Sequence, residues 1–261
     1  MTYKHRVLRY FIFLLVPALI LWAVAELSLT IFALPIHASA HSSDVFGPAC
    51  GKPMIDGEVL PGEWNTASQQ TFIMVNGTET EPLTATLRVM NSANNLYLGI
   101  TIDDDEFSTV GNFLSRGDGF RIDFDNDHGG TLFTVGDDVL GTNAGLPQFT
   151  DSFLDGDPAP TSSEEDIDNG GTIDGSSVAS RVGNDNHFEL QHPLCSGDSL
   201  DFCLKKGDVV SFRLEYLDAE ANGDFGGTSF FPGLTDTSEA DIIIGDCSIA
   251  DINTHLPVIL K

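Results

Sequence analysis

From Leu83 to Ile102 apolar and polar side chains alternate almost residue by residue. That rhythm gathers the apolar groups on one face of an extended strand and scatters them around a helix. Leu83, Ala85, Leu87 and Val89 alternate with Thr84, Thr86, Arg88 and Met90, and Leu96, Leu98, Ile100 and Ile102 alternate with Tyr97, Gly99 and Thr101. The stretch Asn91-Ser92-Ala93-Asn94-Asn95 between them is turn chemistry, so the two runs predict a hairpin. The same period recurs at Phe120, Ile122 and Phe124, and at Val210, Phe212, Leu214 and Tyr216. Shorter candidates are Leu132 to Val135, Thr71 to Val75, Val178 to Val182, His187 to Leu190 and Ala240 to Ile244. No window after residue 41 sustains a ten-residue helical stripe. About nine short strands, punctuated by 26 Gly and 12 Pro, predict an all-β fold: a two-sheet antiparallel β-sandwich, jelly-roll or immunoglobulin-like, with long acidic loops. The stretch from Gly136 to Gly175 shows little alternation and is expected to be one or two surface loops, a candidate for a ligand site.

The sandwich is preceded by a segment of another kind. Lys4, Arg6 and Arg9 precede a continuous apolar run from Tyr10 to Ala25, and Ala38-Ser39-Ala40 offers the small-x-small pattern read by signal peptidase. Residues 1–40 are therefore expected to be a signal peptide, with an uncleaved anchor as the alternative, since Tyr10 to Pro35 is long enough to span roughly 30 Å of hydrocarbon. The remaining expectations are a lead-in over 41–53, the β-sandwich over 54–245 and a tail over 246–261. A secreted or cell-surface location follows, with membrane contact only through the first segment.

The whole chain has 12 Lys+Arg against 39 Asp+Glu, a formal net charge of −27. The first forty residues hold three of the basic side chains and one of the acidic, so the rest carries 9 against 38, a net of −29. Nucleic acid, which is bound through basic patches, is excluded as a partner. All four cysteines lie beyond residue 40, and an even count in an exported chain predicts two disulfides. Of three connectivities, the expected one pairs Cys195 with Cys203 and Cys50 with Cys247. The loop Asp218-Ala219-Glu220-Ala221-Asn222-Gly223-Asp224 places oxygen side chains at alternate positions before a Gly, as in the first half of an EF-hand-type loop. Asp218, Glu220, Asn222 and Asp224 are accordingly candidate Ca²⁺ ligands, as are Asp125 and Asp127 in another acidic turn. The bidentate Glu of such a loop is missing, Ser229 standing at the twelfth position.

Further motifs resemble a family. Ile55-Asp56-Gly57 with Gly62-Glu63-Trp64, then Leu96 to Asp104, Gly117 to Asp127, Phe188 to Leu194 and Gly207 to Asp218 are similar, in order and spacing, to the signature segments of carbohydrate-binding family 9 and related DOMON-like β-sandwich domains. The resemblance runs from about Met54 to Ile244. It implies a non-catalytic module that binds a polysaccharide or a surface glycan. Binders of that kind grip sugars with aromatic rings, but Trp64 beside the opening motif reads as a core residue. The platform is therefore sought among phenylalanines of the loops, chiefly Phe107, Phe113, Phe149 and Phe153, with Phe225, Phe230 and Phe231 as further candidates. No hydrolase, Walker or dinucleotide motif is present, and His187 and His192 read as structural hydrogen-bonding residues. A structural or adhesive surface protein is the alternative function, and a glycan-active hydrolase the weaker one.

Overall fold

The computed structural model describes residues 44–78, 82–111, 116–130, 133–157, 159–235 and 237–248. The expected signal or anchor segment, Phe113 and most of the tail lie outside them. Among the described residues no helix is long and apolar enough to cross a membrane.

Fourteen strands follow in chain order: β1 Val45–Phe46, β2 Ser68–Ile73, β3 Val75–Asn76, β4 Thr84–Asn91, β5 Asn95–Asp103, β6 Gly119–Asp125, β7 Asp138–Asn143, β8 Phe149–Leu154, β9 Ser163–Glu165, β10 Ser176–Val182, β11 Asp185–Pro193, β12 Val209–Ala219, β13 Phe225–Phe231 and β14 Ala240–Ile243. Among the described residues one short 3-10 turn, Asp166–Asn169, lies after β9. A nine-stranded sheet runs β1-β14-β12-β6-β7-β8-β9, with β13 also paired to β12 and β3 to β13. A five-stranded sheet runs β10-β11-β5-β4-β2. All pairings are antiparallel except the two-residue β1–β14 pair, so the fold is the expected all-β sandwich.

The alternating apolar residues meet between the sheets. Leu87, Leu98, Ile100, Phe188 and Leu190 from one sheet pack with Phe120, Ile122, Phe124, Phe212, Leu214 and Tyr216 from the other. Two sequence expectations change here. The stretch 136–175 is built of β7, β8, β9 and the 3-10 turn, with every residue of β7 buried. Its polar inward residues conceal the alternation that would have marked it. Residues 133–135, expected in a strand, lie outside one, and Phe133 takes the left-handed backbone conformation with φ 67°.

The disulfides are Cys50–Cys247 and Cys195–Cys203, as the spacing suggested. The first ties the lead-in to the chain after β14; the second closes an eight-residue interval after β11.

A second, smaller core covers the outer face of the five-stranded sheet. Val59, Trp64, Met90 and Tyr97 are buried together there beneath the segment that leads into β2. Trp64 lies across Gly99, where even a methyl group would come within 2.8 Å of its ring. Its indole Nε1 donates to Glu189 Oε1 at 2.8 Å, and the backbone N–H groups of Asp56 and Gly57 donate to Glu189 Oε2 at 2.9 and 2.8 Å. Gly57 needs its glycine because φ is 91°. Val59 N–H donates to His187 Nδ1 at 3.0 Å, consistent with burial holding the His187 pKa down. The two halves of the opening motif are thus joined through one buried carboxylate on β11, over 120 residues away.

Replacing Glu189 with Ala would strand three donors, each worth about 1–3 kcal/mol when buried without a partner. The expected outcome is a loss of about 3 kcal/mol or more in urea unfolding, with a red shift of Trp64 fluorescence. A loss under about 1 kcal/mol would mean that apolar burial alone fastens this segment.

Candidate functional site

The outer face of the nine-stranded sheet carries charge where strand pairing brings it together. Arg213 on β12 lies opposite Asp123 on β6, and Glu215 opposite Arg121. Asp123 is fully buried and accepts from Arg213 Nη2 at 3.0 Å and from Arg121 Nε at 2.7 Å. Arg121 Nη2 also donates to the Thr161 carbonyl at 3.0 Å, fastening the loop before β9 beside this face.

Two rings border the Arg213 guanidinium. Its central carbon lies 4.4 Å from the centroid of Phe133 and 5.2 Å from that of Phe230. Phe230 is placed by its cross-strand pairing with Glu215. Phe133 reaches the guanidinium from the loop between β6 and β7, in a backbone conformation that costs a non-glycine residue on the order of 1–3 kcal/mol. Arg213 Nε, although buried, has no hydrogen-bond partner. Burial, followed by the charge of Asp123, raises the Glu215 pKa. The patch therefore offers forked donors, carboxylate acceptors and apolar rings within one sheet face, a combination suited to a ligand with hydroxyl groups on its edges and C–H groups on its faces.

The expected aromatic platform is distributed differently. Phe149 faces the main core, Phe107 packs against that core with its ring 6.5 Å from Phe188, and Phe153 is half-buried on β8 opposite Asp138. Phe231 is stacked inside on Phe72 at 3.7 Å, and Phe225 is exposed at the start of β13. Of the phenylalanines named from sequence, Phe230 joins the patch; Phe133, Arg121, Asp123, Arg213 and Glu215 were not singled out. In the sequence, two of the nine basic residues after position 40, Arg121 and Arg213, stand in the polar stripes of strands, but the pairing of those strands is seen only in the fold.

The proposed calcium ligands also separate. Asp218 gathers with Asp104 and Asp118, whose carboxylate oxygens lie within 4.8 Å of one another. Glu220, Asn222 and Asp224 form the exposed β12–β13 turn, where Asn222 and Asp224 satisfy each other at 2.9 Å. Asp125 is buried and accepts from the backbone N–H groups of Gly129 and Gly130 at 3.0 and 2.9 Å, while Asp127 is exposed near it.

Another cluster was not anticipated. Asp138, Asp151, Asp166, Asp201 and His192 come together between the sheets, supplied by β7, β8, the 3-10 turn, the Cys195–Cys203 loop and β11. Burial raises the Asp138 carboxyl well above its usual range and Asp166 to about 8. Burial lowers the His192 pKa, but Asp151 and Asp201 more than reverse this and leave it at about 10.

Residues 55–143 match the family model described as carbohydrate family 9 binding domain-like. That match spans about a third of the chain, from the opening motif to the end of β7. A family 9 module from Caldicellulosiruptor kristjanssonii in complex with cellotriose superposes with a TM-score of 0.56 at 16% identity, covering 82% of this chain and 100% of that one. The same organism's module with glucose gives 0.55 and 16%, over 77% and 95% of the two chains. A candidate carbohydrate-binding protein of Bacteroides uniformis gives 0.52 and 8%, over 77% and 99%. No curated protein matches the chain significantly.

Two raised acids outside the His192 cluster contribute to the expected pH response. Burial, then the charges of Asp104 and Glu106, outweigh two backbone hydrogen bonds and raise Asp118 to about 7; burial and Asp125 raise Glu239 to about 7. Both start near 4 unfolded, so the folded state holds their protons more tightly and their stabilising contribution is lost as pH rises through 7. The melting temperature is expected to be higher at pH 5.5 than at pH 8, with a shallower slope in Asp118→Asn. A melting temperature that falls steadily on acidification from 8 to 5.5 would contradict this assignment.

Proposed function

We propose that this protein is an exported, non-catalytic carbohydrate-binding module, and that it holds a glucan or related sugar over Arg213. The observation that carries the reading is Phe133, held at φ 67° with its ring 4.4 Å from a guanidinium whose Nε lacks a partner. Conformational strain of this kind is kept where surrounding structure has a use for it. Arg121 and Arg213, ordered by the buried Asp123, would donate to sugar hydroxyls, Glu215 would accept from them, and Phe133 and Phe230 would cover the C–H faces. The ligands of the C. kristjanssonii modules, cellotriose and glucose, support the class of ligand. The two disulfides support export, because such bonds persist in oxidising compartments. A polysaccharide or surface glycan is then the natural partner.

Titration calorimetry with glucose, cellotriose and a panel of polysaccharides tests the reading. Arg213→Ala is expected to weaken binding at least about 30-fold, since a hydrogen-bonded charged side chain is worth about 2–3 kcal/mol, and Phe230→Ala about tenfold. Phe107→Ala, a partly buried residue away from the patch, serves as the comparison and should bind normally once folded. Undiminished affinity in Arg213→Ala with native-like circular dichroism would move the site elsewhere; no binding by the unaltered protein to any sugar would defeat the function.

A further inference from the structure

The buried cluster between the sheets has no part in the sugar patch, and its chemistry is of another kind. Asp138, Asp166 and His192 are fully buried, Asp151 is 1% exposed and Asp201 9%. Neither oxygen of Asp138, Asp166 or Asp201 has a hydrogen-bond partner, nor does either nitrogen of His192. Asp151 accepts the backbone N–H of Asp174 at 2.8 Å with one oxygen and has no partner at the other. Carboxylates withdrawn from water in this way are strongly unfavourable unless positive charge balances them, and one imidazole, even protonated, cannot balance four carboxylates. By contrast, Glu189, Asp118, Asp123 and Asp125 each accept two or three donors.

The spacing indicates what the positive group is. His192 Nε2 lies 3.7 Å from Asp151 Oδ2 and 3.6 Å from Asp201 Oδ2, too far for a hydrogen bond. Two ligands bound tetrahedrally to one ion at about 2.0–2.2 Å stand about 3.3–3.6 Å apart, which is close to this spacing. One atom each from Asp138, His192 and Asp201 lie within 4.8 Å of one another, as do atoms from Asp151, Asp166 and Asp201. An imidazole among the ligands favours a first-row transition ion over Ca²⁺, which takes oxygen alone. With both cysteine pairs oxidised, no thiolate competes for the role.

We propose that Asp138, Asp151, Asp201 and His192 bind one divalent ion of the zinc or manganese class, with Asp166 as an adjoining carboxylate. The ion would join β7 and β8 of one sheet to β11 of the other. It would also fix the loop that Cys195–Cys203 closes, giving that short disulfide the task of presenting Asp201.

The test uses the full protein purified without chelator, analysed by elemental mass spectrometry, then stripped and reloaded with Co²⁺. Expected are close to one zinc or manganese per chain, a strong visible band of low-coordinate cobalt on reloading, and a melting temperature that falls on stripping and recovers with Zn²⁺ or Mn²⁺. His192→Ala should lose the cobalt band and weaken binding by about 100-fold or more, a loss at least as large as that from removing a residue that merely supports a ligand. Asp224→Asn, in the exposed turn, should leave both unchanged. If His192→Ala does not fold, the cobalt spectrum of the unaltered protein decides alone. A spectrum identical to aqueous Co²⁺ would overturn the site. Recovery with Ca²⁺ but not with Zn²⁺ or Mn²⁺ would overturn the imidazole as ligand.

Discussion

A carboxylate taken out of water must be met by donors or by a cation, and in a chain with 39 acidic residues that requirement reaches every part of the sandwich. Glu189 is met by an indole and two backbone N–H groups, and in being met it fastens the lead-in to the five-stranded sheet. Asp118 is met by the backbone of Ser108 and Ala219, which joins the loop after β5 to the end of β12. Asp125 organises the turn after β6 through Gly129 and Gly130, and Asp123 is met by two arginines. The acids are thus internal fasteners as well as surface charge, and the loops take their shape from the donors they bring. Where donors run out, at Asp138 and its neighbours, the same requirement calls for an ion.

The parts of the fold legible in the sequence were those where burial is one-sided. β4, β5, β6 and β12 each put apolar residues inward, so period two survives in the text of the chain. β7 is buried on both faces and includes Asp138, Gly141, Thr142 and Asn143, so no alternation remains to be read. β13 begins Phe-Gly-Gly-Thr, which has the composition of a turn, and is a strand because β12 extends beside it. Tertiary pairing supplied what local preference did not.

The site was less legible for a related reason. Reading outward from loop phenylalanines presumed that an aromatic platform lies on loops, whereas Arg121, Asp123, Arg213 and Glu215 are the polar stripes of two central strands, positions that pattern reading assigns to solvent. What distinguishes them is that adjacent strands align opposite charges in register, and register is invisible until β6 and β12 are known to be neighbours. The acidic loop at 218–224 also takes a shape that its spacing does not give. Its spacing suits a cation, but the backbone closes as a hairpin turn in which Asn222 and Asp224 bond to each other, while Asp218 lies with Asp104 and Asp118, just after β5 and just before β6.

One strand pair connects the two clusters. On β7, Val139 pairs with Asp123 beneath the Arg213 patch, while the preceding residue, Asp138, points to the opposite face of the sheet and into the buried cluster. On β8, Ser152 and Asp151 divide between the faces in the same way, Ser152 pairing with Val139. A displacement of β7 and β8 driven by repulsion among Asp138, Asp151 and Asp201 would therefore shift the backbone on which Asp123 and Arg121 are ordered. Because successive residues of a strand share a rigid backbone, holding the inward carboxylates in place also holds the outward face in the geometry that a sugar would meet.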